Sequence, residues 1–111
     1  MEEEKKINLG KESGFQVDDW AIIKKFTYRE RTRLTGKFLS LDLNNKPKIN
    51  VGQLQFYSVV YGIKDASFLK GKTTTEDKLE FLENTTADLT LIFKEISLLN
   101  KLENLQVMLK K

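Results

Sequence analysis

A row of basic residues carries the chemistry that this sequence offers most clearly. Arg29, Arg33 and Lys37 recur every four residues, a spacing that places them on one face of a helix. Such a row can contact phosphates, with Arg31 adding a contact and the Tyr28 ring stacking on a base. The alternative is a solvated helix face, or one that meets a protein partner. We favour this alternative because a net charge of +3 is small for a nucleic-acid-binding domain.

The adjacent carboxylates of Asp18 and Asp19 are the second candidate for chemistry. Paired carboxylates can bind a divalent cation or share a proton. This pair lacks a third ligand at a recognisable spacing, and aspartate is a common turn residue because its side chain bonds to nearby backbone groups. We therefore interpret the pair as a turn that leads into a strand, and we predict no metal site.

The composition excludes the commonest kinds of enzyme site. The 111 residues include no histidine and no cysteine, which excludes histidine-dependent hydrolytic triads, thiolate nucleophiles, disulfides and the usual zinc sites. The sequence contains no glycine-rich phosphate loop, nucleophile elbow or HExxH array. We therefore predict a protein that is not an enzyme, with no catalytic residues and no cofactor.

Length and patterning predict a single globular domain. An apolar fraction of 40%, with 1 Trp, 3 Tyr and 7 Phe spread along the chain, suffices for one core and not for two. We expect a flexible or loosely paired leader at residues 1–14, in which Ile7 and Leu9 could form a short edge strand. The domain is expected at 15–106 and a tail at 107–111. The sequence has neither an apolar run long enough to span a membrane nor a signal peptide, which predicts a cytoplasmic protein.

Local patterns predict a mainly α fold of the α+β class, with three or four helices and a small β-hairpin or short strands near the N-terminal half. Aromatic and β-branched residues favour a strand at Trp20–Lys25. Thr27 and Glu30 fit a capping box, so a helix is expected to begin at Tyr28. The apolar face of this helix is expected to contain Leu34, Phe38 and Leu41.

The middle of the chain predicts two further helices. A loop at residues 43–48 is expected to lead into a helix over 51–63 with an asparagine N-cap, although the β-branched and aromatic residues there would also suit a strand. Residues 64–70 are expected to be irregular, or to form a short strand that pairs with the strand at Trp20–Lys25. Thr73 and Glu76 fit a second capping box, which predicts a helix of about two turns.

The clearest helical pattern runs from Ala87 to about Leu105. One apolar stripe consists of Leu89, Ile92, Phe93, Ile96 and Leu99. A neighbouring stripe consists of Leu91, Leu98, Leu102 and Leu105. An apolar arc of this width indicates either a helix buried on two sides or a helix that meets a partner or a second copy.

The segment Asp19–Leu34 (DWAIIKKFTYRERTRL) resembles the opening of small tail assembly chaperones of tailed bacteriophages and related archaeal viruses, which consists of a tryptophan, a strand, a T-Y-x-E-R motif and a helix. Residues 57–68 (YSVVYGIKDASF) and 93–102 (FKEISLLNKL) are similar to the mid-chain segment and final helix of that family. The resemblance implies a chaperone without catalysis or cofactor, which binds the tape measure protein or the tail tube protein in the host cell cytoplasm before the tail polymerises.

We therefore predict a non-enzymatic virion assembly protein with a protein partner, and we leave a homo-oligomer open. The family supplies no strict binding residues. From the residues alone, the predicted contact face consists of Arg29, Arg33, Lys37, Leu98, Leu102 and Leu105. The alternatives are a small basic nucleic-acid-binding or regulatory protein, and a structural subunit of the virus particle.

Overall fold

The computed structural model describes residues 3–102, so the predicted tail at 107–111 lies outside the described residues. In chain order the elements are β1 (Glu4–Asn8), β2 (Trp20–Lys24), α1 (Tyr28–Phe38), β3 (Leu39–Leu41), β4 (Pro47–Ile49), α2 (Val51–Gly62), β5 (Ile63–Ala66), a 3-10 turn (Ser67–Leu69), α3 (Thr75–Asn84) and α4 (Thr90–Asn100). The predicted α+β class agrees with this architecture. The strands, however, are more than one small hairpin, since they form a three-stranded sheet and a separate two-stranded one.

The three-stranded sheet has β2 at its centre, with β1 and β5 antiparallel on either side. Successive side chains of a strand point to opposite faces, and Ala21 and Ile23 are the residues of β2 that are fully buried. A register shift between Ile22 and Ile23 interrupts the pairing with β5. The strand predicted at Trp20–Lys25 is confirmed and ends at Lys24. Of the two alternatives for residues 64–70, the strand that pairs with it is confirmed at β5.

The N-terminal segment, predicted as a leader, contributes a strand to this sheet. β1 pairs with β2 from Glu4 opposite Lys24 to Asn8 opposite Trp20. The edge-strand alternative is confirmed for Ile7, whereas Leu9 lies just after the strand; both side chains are buried. The charged residues of β1 point to solvent, which explains why the composition looks like that of a flexible leader. Residues 4–8 are therefore part of the sheet, and Ile7 and Leu9 are part of the core.

Helix α1 begins at Tyr28, as predicted. The Thr27 hydroxyl accepts a hydrogen bond from the Glu30 N–H at 3.1 Å, and the Thr27 N–H donates to the Glu30 carboxylate at 2.9 Å, which completes the capping box. The helix ends at Phe38, so the prediction that Leu41 lies on its apolar face is wrong.

Strands β3 and β4 form a hairpin where the sequence predicted the end of a helix and a loop. Leu39 lies opposite Ile49, and Leu41 lies opposite Pro47. Only residues 42–46 form the connection, so the loop predicted at 43–48 is too long. The sequence pattern missed this pairing because a helical pattern compares residues three or four positions apart, whereas Leu39 pairs with a residue ten positions away.

The remaining helices follow local caps, with two corrections. α2 begins after Asn50, whose side chain accepts from the Gln53 N–H at 3.0 Å, as predicted. α3 begins one residue later than expected, because Thr74 rather than Thr73 is the N-cap and accepts from the Asp77 N–H. α4 begins at Thr90 rather than Ala87 and ends at Asn100.

Helix α2 lies at the centre of the helical layer, where it contacts α1, α3 and α4, while α4 also packs on β2. Its last five residues are all buried, and Gly62 lies directly against Ile96 of α4. A β-carbon at Gly62 would lie 2.6 Å from Ile96 Cδ1, so this close approach requires glycine. None of the helices within residues 3–102 combines the length and the apolar character needed to cross a membrane.

Candidate partner-binding surface

The predicted basic row lies along the exposed face of α1. Arg29, Arg33 and Lys37 are all exposed, while Leu34 and Phe38 on the opposite side reach the core. The Lys37 ammonium lies 5.0 Å from the centre of the Tyr57 ring, a cation–π contact with α2. Within residues 3–102 no ion pair involves Arg29 or Arg33. These two guanidinium groups are therefore available to an anionic partner.

Other basic residues of this region are engaged within the protein. Lys24 forms an ion pair with Glu30, and the Arg31 guanidinium lies 6.0 Å from the centre of the Phe26 ring. Burial acts to raise the pKa of the Glu30 carboxyl, but hydrogen bonds from Lys24 and Thr27, together with the Lys24 charge, hold that pKa below its usual value of 4.5. The local basic excess of the sequence is thus larger than the cationic surface that remains exposed.

The hairpin adds an apolar surface that the sequence did not predict. Leu39, Leu41, Pro47 and Ile49 form what we call the hairpin face, because opposite and alternate residues share one side of a ribbon. Leu39 and Ile49 pack against the core at its base, whereas Leu41 is 63% exposed. Leu43, in the connection, is fully exposed. The hairpin face is therefore packed against the core at Leu39 and Ile49 and exposed to solvent toward the tip of the hairpin.

The connection between β3 and β4 is held by Asp42. Its carboxylate accepts from the backbone N–H groups of Asn44 at 2.8 Å and Lys46 at 2.9 Å, and its own N–H donates to the Lys46 carbonyl. Asn45 adopts the left-handed conformation that a tight turn requires. The sequence signal for this turn is the run Asp42–Lys46. It contains an aspartate, which can accept from backbone N–H groups a few residues later, and an asparagine that tolerates the left-handed conformation.

The leucines predicted on α4 separate into two groups. Leu98 is 55% exposed, as a contact residue should be. Leu102 is 2% exposed and belongs to the core, so its predicted place on a contact face is wrong. The cause is Lys101, whose left-handed backbone ends α4 and takes Leu102 out of the helical register of Leu98. Leu105 lies outside the described residues.

A buried lysine lies near the Lys24–Glu30 ion pair at the start of α1, and the sequence did not indicate it. Lys78 of α3 is 7% exposed, and its ammonium donates to the Ile63 carbonyl at 2.8 Å. Burial lowers the pKa of Lys78 below its usual 10.5, and the nearby Lys24 charge adds to this, while Glu30 opposes it. Each of these groups has a partner within the fold, so we assign them a structural role.

The paired aspartates form a turn, as predicted. The Asp19 carboxylate accepts from the Gln16 N–H at 2.7 Å and from the Ser67 hydroxyl at 2.8 Å. One carboxylate oxygen therefore closes the turn before β2, and the other joins this turn to the 3-10 turn. In the described part of the chain, no three acidic side chains come close enough together to hold a metal ion.

No protein-family model matches this chain, and neither a curated protein nor a solved structure shows significant similarity to it. The functional assignment therefore rests on the exposed surface and on the resemblance at Asp19–Leu34. Two features of that surface are adjacent along the chain, because Lys37 is in the last turn of α1 and Leu39 begins β3.

Proposed function

We propose that this protein is a non-enzymatic assembly protein that binds another protein through the basic row of α1 and the hairpin face. The observation that carries this proposal is that the exposed Arg33 and Lys37 at the end of α1 are followed directly by β3, which carries the exposed Leu41. Exposed apolar surface beside unpaired cations fits a protein segment that offers apolar and acidic side chains together. A nucleic acid would use the cations and leave the leucines without a role.

Within this class, the resemblance to tail assembly chaperones supports a partner that is a tape measure or tail tube protein. A chaperone for such a protein must cover apolar surface before assembly, and the hairpin face is suited to that task. The host cell cytoplasm is the place where this binding would occur. A structural subunit of the particle would share the same surface, and the presence of the chain in purified particles would identify that role.

Co-expression with the products of neighbouring genes tests the proposal. We expect a stable complex with a long helical protein, and we expect Arg29→Glu combined with Arg33→Glu to reduce its recovery strongly, because both substitutions reverse charges that face the partner. Lys72→Glu combined with Lys94→Glu is the matched control, since both lysines are exposed and belong neither to α1 nor to the hairpin. Equal recovery of the two double variants, or no complex with any neighbouring product, would contradict the proposal.

A second candidate function, nucleic-acid binding, is favoured by Tyr28. Its side chain is 87% exposed and directly precedes Arg29, so a base could stack on it while the row contacts phosphates. Titration of a fluorescent single-stranded oligonucleotide at low salt tests this function. Binding would weaken steeply with salt, and the slope would fall by about one for each phosphate-contacting residue removed. The absence of an anisotropy change at low salt would exclude it.

A further inference from the structure

The two outer edges of the hairpin present different backbone groups. The Asp42 N–H donates to the Lys46 carbonyl, and the Asn50 N–H donates to the Phe38 carbonyl. Because hydrogen-bonded and non-hydrogen-bonded pairs alternate along an antiparallel ladder, the pair next to Asp42 and Lys46, Leu41 opposite Pro47, is not hydrogen-bonded. The N–H and C=O of Leu41 therefore point away from β4, along the outer edge of β3.

The outer edge of β4 is protected against strand addition. Pro47 has no N–H to offer at the outward position, and Lys46 and Lys48 flank it with charges. The outer edge of β3 has no such protection, because Leu39, Ser40 and Leu41 carry neither charge nor proline. One edge of this hairpin is thus open and the other is blocked.

We propose that β3 pairs with β3 of a second copy of this chain, antiparallel about a twofold axis that passes between the two Leu41 residues. The pairing would join two hairpins into a four-stranded sheet. In this register Leu41 faces Leu41, Leu39 faces Leu43, and Ser40 faces Asp42. This inference concerns a surface of the chain itself and does not rest on the proposed function.

The edge is complementary to itself in this register. The two Leu41 residues exchange a pair of backbone hydrogen bonds, and the Leu43 N–H meets the Leu39 carbonyl of the other copy. The Leu39 N–H is not needed, since it already donates to the Thr35 carbonyl at the end of α1. No like charges face each other across the axis, because Asp42 lies opposite an uncharged serine.

The blocked edges of β4 limit the assembly to two copies. After pairing, both outer edges of the four-stranded sheet carry Pro47 between lysines, so no further strand is added. The two hairpin faces lie on one side of this sheet and form one apolar surface of twice the area. The contact consists of short strands, so the dimer should be weak and depend on protein concentration.

Single cysteines test this pairing directly, because the chain contains no cysteine of its own. Across the axis, the two Leu41 Cα atoms should lie about 5.5 Å apart, within the range of a disulfide. Leu41→Cys should therefore form a disulfide-linked dimer under mild oxidation. The matched control is Lys48→Cys, whose symmetry mates lie about three strand spacings apart, roughly 14 Å across the sheet, and are also offset by two residues along the strands. We expect cross-linking about tenfold faster at Leu41, and equal rates would overturn the proposal.

Sedimentation equilibrium at high protein concentration provides the second test. Leu41→Pro removes the outward N–H without removing a bond to β4, and it should abolish the dimer. Leu41→Thr keeps that N–H and should retain it. Circular dichroism of both variants verifies the fold. A wild-type chain that stays monomeric at millimolar concentration, or a Leu41→Pro variant that dimerises like the wild type, would overturn the pairing. Partner capture by the wild-type chain is a separate measurement, and its result does not depend on the pairing.

Discussion

The Asn100 side-chain carbonyl accepts a hydrogen bond at 2.8 Å from the Phe26 N–H, which lies 74 residues earlier in the chain. The amide group of the same side chain donates to the carbonyls of Lys24 at 3.2 Å and Ile96 at 3.1 Å. One buried side chain therefore joins the end of α4 to the segment between β2 and α1. The basic row is anchored to the core through this contact, because the segment that Asn100 holds leads directly into the cap of α1.

Asn100→Leu should destabilise the fold by about 2–3 kcal/mol, because it leaves the Phe26 N–H and the Lys24 carbonyl without their side-chain partner in the interior. Urea denaturation measures the difference in the free energy of unfolding. Asn84→Ala is the matched control, since the Asn84 side chain bonds a carbonyl in an exposed position and should cost less than about 1 kcal/mol. Similar costs at the two positions would contradict the anchoring role of Asn100.

Alanine substitutions at two helical glycines should change the free energy of unfolding in opposite directions. Gly62→Ala places a methyl group 2.6 Å from Ile96 Cδ1 and should destabilise by about 1–3 kcal/mol. Gly36→Ala meets no atom within 4 Å and should stabilise α1 by about 0.5–1 kcal/mol. Thermal and urea unfolding measure both. Adding Ile96→Val to Gly62→Ala should recover part of the loss, and stabilisation at both glycines would show that α2 and α4 are not in this contact.

The charge of Glu30 should stabilise the protein at neutral pH. Its pKa is lowered in the fold, so the folded chain binds fewer protons than the unfolded chain as pH falls below 4.5, and the stabilisation is lost as pH passes through the folded pKa. Glu30→Gln keeps a capping side chain and removes the charge. We expect it to cost less than about 1 kcal/mol at pH 7 and nothing in acid. A cost that does not change with pH would contradict this account.

Substitution of one exposed leucine at the hairpin tip and of another on α4 tests which of these two surfaces contacts the partner. Leu43→Ser at the hairpin tip and Leu98→Ser on α4 should each change the free energy of unfolding by less than about 0.5 kcal/mol, because both side chains are exposed. Only Leu43→Ser should reduce partner recovery in a pull-down, since it removes apolar surface next to the hairpin face. Loss of the partner with Leu98→Ser alone would instead assign the contact to α4.

Elements whose signals are local could be predicted from the sequence. The capping box at Thr27 and the asparagine cap at Asn50 act within three residues, so helix starts at Tyr28 and Val51 agree with the structure. The strand at Trp20 and the position of Arg29 on an exposed helix face also follow from short-range spacing. The absence of histidine and cysteine is a property of composition alone, and it excludes whole classes of site.

Tertiary structure decided the features that depend on distant partners. Leu39–Leu41 fits a helical stripe as well as a strand, and pairing with Pro47–Ile49 selects the strand. Leu102 enters the core while Leu98 stays exposed, because a left-handed Lys101 changes the chain direction between them. Lys78 and Asn100 are polar, and they are buried because backbone groups far along the chain satisfy them. The Ile63 carbonyl, 15 residues away, accepts from Lys78, and the Phe26 N–H, 74 residues away, donates to Asn100. A local pattern records the preferences of neighbouring residues, whereas burial of a polar group depends on which distant backbone groups the fold brings to it.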